Sequence, residues 1–217
     1  MQNVVFNIKI AQEVIEYAKK VSAERLTKGT WGNISVKSGE YVYITPSGYP
    51  YDKLKPKDIC VVDMEGQKVF GNLKPSSELP LHIQIYLNRS NVGAIIHTHP
   101  IYSTIVSITQ REIPPIVEDA VMILGETLKV SEYALPGTEE LAQKALEALG
   151  TNNCVFLKNH GLVTVGENLQ EAFIATLIAE KTAQIYVEAL KVGNVSLLPM
   201  EHARLLREKY ITSYRQK

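Results

Sequence analysis

An apolar run, Val92-Gly93-Ala94-Ile95-Ile96, leads straight into His97-Thr98-His99-Pro100. The β-branched residues of that run predict a buried strand. Side chains alternate across a strand, so His97 and His99 share a face with Cα atoms roughly 6.5 Å apart. The two imidazoles can therefore converge on one point. Pro100 then ends the ladder, because it has no N–H to give. Convergent imidazoles supply two thirds of a catalytic metal site, whose usual form is three protein ligands and one open position. Taken alone, the pair fits two histidines hydrogen-bonded near a strand end just as well.

The 217 residues suffice for one sizeable core, and a single domain over 1–217 is expected, with 199–217 as a C-terminal helical tail. Lys plus Arg and Asp plus Glu are 23 each, so no basic excess draws nucleic acid or an anionic membrane. The first residues lack the charged and apolar regions of a signal peptide, and no run of apolar residues is long enough to span a membrane. Cys60 and Cys154 lie in apolar, strand-like surroundings without metal-ligand spacing. Reduced, buried thiols in a cytoplasmic protein are expected.

Asn7 fits an N-cap for a helix carrying Ile8, Ile10, Ala11, Val14, Ile15, Ala18 and Val21 on one face and running to about Leu26. Gly29-Thr30-Trp31-Gly32-Asn33 follows, a glycine-bracketed loop feeding a strand. Tyr41 to Thr45 pairs with that strand, ending in the turn Thr45-Pro46-Ser47-Gly48. A second hairpin is expected from Ile59–Asp63 and Gln67–Phe70. Ser76-Ser77-Glu78 precedes a helix, and the serines suit either N-capping or a phosphate held by hydroxyls and free N–H donors. His82, four residues beyond Glu78, is expected to pack or cap rather than bind metal. Helices are expected from Tyr102 to Ile108, from Thr138 to Leu149 and from Leu169 to about Leu190, with a helix-prone tail from Met200. Leu128 to Leu135 is expected as a strand, and Cys154–Leu157 with Leu162–Gly166 as a strand pair flanking Asn159-His160-Gly161.

The motifs Gly32-Asn33-Ile34-Ser35, Thr45-Pro46-Ser47-Gly48, Pro75-Ser76-Ser77-Glu78, His97-Thr98-His99 and Asn159-His160-Gly161 together resemble the class II aldolase/adducin family, closest to its L-fuculose-1-phosphate aldolases. Order and spacing agree from about Ile8 to Leu190.

The resemblance implies a three-layer α/β/α fold around a central, largely antiparallel sheet, assembled as a homotetramer with active sites at subunit interfaces. It implies His97, His99 and His160 as ligands of one Zn2+ per subunit. Glu78 matches the carboxylate that serves as acid/base and can also ligate zinc in the empty site. Thr30, Asn33, Ser47, Gly48, Ser76 and Ser77 match a phosphate cradle. The implied reaction is cleavage of a small ketose 1-phosphate, such as L-fuculose 1-phosphate, into dihydroxyacetone phosphate and an aldehyde such as lactaldehyde. Zinc acts there as a Lewis acid on a developing enediolate. One departure stands out. Glu118 occupies the place of the tyrosine that protonates the aldehyde oxygen from a neighbouring subunit, and Tyr210 and Tyr214 are placed slightly differently in the tail. A methylthioribulose-1-phosphate dehydratase, a 4-epimerase or a decarboxylase on the same scaffold is the alternative. A non-catalytic adducin-like scaffold is disfavoured by the complete histidine set.

Overall fold

The computed structural model describes residues 6–109 and 111–214. Its seven strands are β1 (Asn33–Ser38), β2 (Tyr41–Ile44), β3 (Cys60–Asp63), β4 (Lys68–Phe70), β5 (Ala94–Thr98), β6 (Cys154–Leu157) and β7 (Gly161–Gly166). They form one sheet in the order β4-β3-β2-β1-β5-β7-β6, and every neighbouring pair is antiparallel. The helices are α1 (Ile8–Ala23), α2 (Leu79–Asn88), α3 (Ile101–Thr109), α4 (Glu118–Leu124), α5 (Glu139–Leu149), α6 (Leu169–Val192) and α7 (Met200–Lys209), followed by a π-helical turn at Tyr210–Tyr214.

Strand periodicity divides the core cleanly. Val42, Ile44, Cys60, Val62, Ile95, Val155, Leu157, Val163 and Val165 point to one face and pack under α2 and α5. Their alternate neighbours Ile34, Tyr43, Val61, Ala94 and Ile96 point to the other face, against α1 and the start of α6. Phe156 and Leu162 join that second face farther along, beneath α3, α4 and the middle of α6. The result is the expected α/β/α arrangement. Both β5 and β7 are buried along their whole length, in keeping with their largely apolar sequences.

Caps set several helix starts. Asn7, Thr138 and Asn168 each accept a hydrogen bond from a first-turn N–H of α1, α5 and α6, an arrangement worth about 1 kcal/mol apiece. Both cysteines are free and buried, and burial pushes the Cys60 thiol up to about 11 and that of Cys154 up to about 12.

Three expectations need correction. The first helix stops at Ala23, not near Leu26: Arg25 takes a left-handed conformation with φ 58°, and the Leu26 N–H turns back to the Val21 carbonyl. Leu128 to Leu135 is not a strand. It makes only single bridges, Leu128 with Ile113 and Val130 with Phe156, and its alternation fails where Ser131 is buried while Tyr133 and Leu135 stay exposed. Finally, α4 follows Pro114-Pro115 where no helix was expected. Glu118 and Asp119 in its first turn and Gly125 just beyond Leu124 are start and stop signals present in the sequence. Residues 215–217 of the expected tail lie outside the described residues.

Candidate active site

The register of β1 on β5 sets the site. Asn33 lies directly opposite His97, and side chains opposite one another in an antiparallel pair share a face. That face is covered by α2, so Glu78 at the start of α2 lies over both. Glu78 Oε2 accepts a hydrogen bond from Asn33 Nδ2 at 2.9 Å and sits 2.9 Å from His97 Nε2. His99 follows β5 on the same face, with its Nε2 2.8 Å from that of His97. The third imidazole comes from the turn between β6 and β7. Asn159 there has φ 57°, which turns the chain and swings His160 back so that its Nε2 lies 3.4 Å from Glu78 Oε1. The three ring centroids are 4.7 to 4.9 Å apart.

Two glycines permit this crowding. A Cβ on Gly161 would stand 2.5 Å from the Thr98 carbonyl oxygen and 2.7 Å from the His99 ring. One on Gly32, whose φ is +109°, would stand 2.7 Å from the His97 carbonyl oxygen. Any larger residue would push the loop or β7 off the histidines.

The donor set suits a cation. His97 Nδ1 lies 2.9 Å from the Leu162 carbonyl, which can only accept, so Nδ1 carries hydrogen and Nε2 of the neutral ring presents a lone pair. That lone pair faces a carboxylate oxygen and a second imidazole nitrogen. Positive charge, from a proton or a metal ion, must lie among them. The ligand nitrogens of His97, His99 and His160 all fall within 4.8 Å of one another, compatible with one ion bound by three imidazoles. Buried Glu78 Oε1 and His160 Nδ1 have no hydrogen-bond partner.

Electrostatics point the same way. Burial pushes the Glu78 carboxyl up, but His97, His160 and the Asn33 amide together pull it further down, well below the usual carboxylate range. Burial and the neighbouring His97 lower His99 to about 3 and His160 to about 4, leaving both rings neutral and able to ligate. For His97 the burial effect is outweighed by the Glu78 carboxylate, and its pKa is raised.

Beside the histidines opens a cleft of about 490 Å³. Thr30, Asn33, Ser47, Gly48, Ser76, Ser77, Glu78, His99 and His160 all line it, so these expected site residues gather in one place. His97 lies beneath them, fully buried. The Asn33 side chain is already engaged, by Glu78 on one side and His82 on the other. Ser76 Oγ accepts from the Glu78 N–H at 3.2 Å, whereas Ser77 is exposed to the cleft. Trp31, Pro136 and Asn159 also line it and were not expected. Glu118 does not line it: this residue is exposed at the start of α4. Tyr210 lines a different cavity, with Arg207 and Ile123.

The family model for the class II aldolase and adducin N-terminal domain matches residues 12–187. The chain belongs to the class II aldolase/adducin family. It is 35% identical over 204 residues to a 5-deoxy-D-ribulose 1-phosphate aldolase of Bacillus thuringiensis serovar kurstaki, covering 93% of this chain and 95% of the relative. It is 33% identical over 205 residues to the L-fuculose phosphate aldolase of Escherichia coli K12, covering 94% and 95%. A solved L-fuculose 1-phosphate aldolase superposes with a TM-score of 0.91 at 37% identity, over 94% of this chain and 96% of that one. Within the family, this chain is an enzyme of the aldolase type, a lyase.

Proposed function

We propose that the protein is a zinc-dependent aldolase that cleaves a small ω-deoxy ketose 1-phosphate to dihydroxyacetone phosphate and a short aldehyde. L-fuculose 1-phosphate would give lactaldehyde, and 5-deoxyribulose 1-phosphate would give acetaldehyde. The observation that carries the reading is the joining of His97, His99, His160 and Glu78 to a hydroxyl-rich cleft. In this reading His97, His99 and His160 hold the metal, with Glu78 beside it as an additional ligand when no substrate is bound. The ion would supply Lewis acidity at the substrate's ketone and neighbouring hydroxyl oxygens.

The chain's own groups do the rest. Ser47, Gly48, Ser76, Ser77 and Thr30, at the cleft's edge and near the α2 N-terminus, offer hydroxyl and N–H donors to the phosphate. Asn33 belongs to this lining, with its side chain turned to Glu78. Glu78 Oε1, buried and without a hydrogen-bond partner, takes up the proton released by the hydroxyl that becomes the aldehyde oxygen and hands it to the carbon that has lost its bond to the aldehyde. Phosphate binding far from that carbon fixes its position. Trp31 is 68% exposed at the rim, with its ring centroid 6.3 Å from that of His99, and presents an apolar wall to a substrate's terminal methyl group.

The working form is proposed as a cytoplasmic homotetramer in which Glu118 serves the site of an adjacent subunit, beside the aldehyde half. Glu118 is exposed and outside its own chain's cleft lining, as such a role requires. Buried, free thiols fit a reducing compartment. Among the described residues no helix is long and apolar enough to cross a membrane.

The test is a panel of ketose 1- and 5-phosphates, with enzymatic detection of dihydroxyacetone phosphate, run on the wild type and on Glu118→Tyr. Release from an ω-deoxy ketose 1-phosphate, with an altered aldehyde preference in the variant, is expected. Loss of water from methylthioribulose 1-phosphate without dihydroxyacetone phosphate would assign a dehydratase instead.

A further inference from the structure

The mechanism above makes no use of one fully buried histidine. His82 is fully buried on α2, one turn beyond Glu78 and one turn before Tyr86. Its Nε2 lies 2.5 Å from Asn33 Oδ1, and its Nδ1 lies 2.6 Å from Ser35 Oγ. Ser35 Oγ is in turn 2.7 Å from the Tyr86 hydroxyl. These groups make an unbroken polar chain through the core, ending on Glu78 Oε2.

Chemistry gives this chain one direction. An ionised Glu78 can only accept, so Asn33 must turn its NH2 toward Oε2, as observed at 2.9 Å. The other end of the amide is then a carbonyl, which obliges His82 to carry its hydrogen on Nε2. Nδ1 of that tautomer is a lone pair, so Ser35 donates to it and accepts from Tyr86. Burial lowers His82 to about 3, keeping the ring neutral, and raises the Tyr86 phenol, keeping it a donor. Every link is satisfied, and no second arrangement satisfies all of them while Glu78 is ionised.

We infer that His82 is a positioning residue for Glu78, acting through the Asn33 amide that it locks. With Oε2 held by the Asn33 N–H, the proton that Glu78 exchanges is directed to Oε1, the oxygen without a hydrogen-bond partner. The same bond fixes the carboxylate's rotation beside the histidines. This inference rests on the proposed role of Glu78 as acid/base, but the hydrogen-bond order can be read without any substrate.

Selective 15N-histidine labelling of the wild-type protein tests the first step. His82 is expected as the neutral Nε2–H tautomer with a lone pair on Nδ1, and an Nδ1–H signal would overturn the inference. This measurement decides even if a variant fails to fold. The second step compares His82→Gln, which keeps a donor toward Asn33, with His82→Leu, which has none. Crystal structures should show the Glu78 carboxylate in place in the first and rotated in the second. With the best substrate, His82→Leu should lower kcat about 10- to 100-fold with KM nearly unchanged, and His82→Gln should stay within about threefold of wild type. Equal losses in both variants, or wild-type kcat in His82→Leu, would overturn the positioning role. Failure of the wild type to cleave any ketose phosphate would instead overturn the proposed reaction. The tautomer and the two carboxylate rotations would then decide the relay without it.

Discussion

Two buried polar groups on opposite faces of the sheet are handled in opposite ways. Under α6, Thr164 and Thr176 are both inaccessible, 2.7 Å apart, and the Ile96 and Ala172 carbonyls lie within hydrogen-bonding distance. Nothing in that pair is left over. Under α2, the chain Tyr86–Ser35–His82–Asn33–Glu78 runs from the core to the cleft and finishes on a carboxylate with one oxygen not hydrogen-bonded. A closed polar pair serves the fold, because an unsatisfied group there would cost about 1–3 kcal/mol. An open chain leaves a buried group available, and it opens where the three imidazoles meet. The contrast separates polar groups that hold layers together from those that are held for use.

The largest expected effect tests the open end. His97→Ala, His99→Ala and His160→Ala should each lose bound metal and reduce turnover by at least about three powers of ten, since a Lewis acid supplies several kcal/mol. The fold should persist, because none of the three belongs to an apolar core cluster. Elemental analysis alongside circular dichroism checks this. Full zinc occupancy in any two variants would break the contrast, since the cluster would then be another satisfied polar group.

A smaller effect is expected one step outward, at the serine pair. Ser76 bonds the Glu78 N–H and Ser77 faces the cleft, so the two residues should respond differently. Ser77→Ala should raise KM for phosphorylated substrates about tenfold, roughly the worth of one hydrogen bond to a charged group, without changing the melting temperature. Ser76→Ala should add a stability loss of about 1 kcal/mol for the N–H it leaves unpaired. Steady-state kinetics on phosphorylated and unphosphorylated substrates, with thermal melts, separates the two. Equal losses on both substrate kinds would make the serines helix-start residues and no phosphate cradle.

How much of this was legible beforehand follows the same divide. Apolar runs, alternation and turn signals located every strand of the sheet, and the H-x-H spacing placed His97 and His99 on one face, because these signals are local. The joining of Asn33 to His97 depends on the β1–β5 register, which no short window carries. His82 was expected to be a packing or capping residue. Its role is hidden because Ser35 and Asn33, its partners, stand 47 and 49 residues away. A faint signal existed: Glu78, His82 and Tyr86 recur every four residues, a polar stripe on the side of α2 that meets the sheet. Leu128 to Leu135 misled for the opposite reason. Its alternation is real only over Leu128 to Val130, and beyond that burial follows the single bridges to Ile113 and Phe156.

The smallest expected effect falls on the closed pair, and it sharpens the contrast most. Replacing Thr164 and Thr176 together by valine removes both hydroxyls and keeps the shape, so no buried donor is left behind. Removing both partners of a buried hydrogen bond can be nearly neutral, so a stability change within about 1 kcal/mol is expected. For a chain of this size that corresponds to a melting shift of about 2–4 °C at most. The Ile96 and Ala172 carbonyls lose only a second donor, since the strand and helix backbones already supply each with one. Turnover and metal content should equal those of the wild type, although Ile96 adjoins His97 in β5. Thermal melts and steady-state kinetics on the double variant give the answer. A fall in kcat comparable with that of His82→Leu would mean that strain passes through β5 from either face, and the hydrogen-bond relay would lose its claim to act on Glu78 by itself.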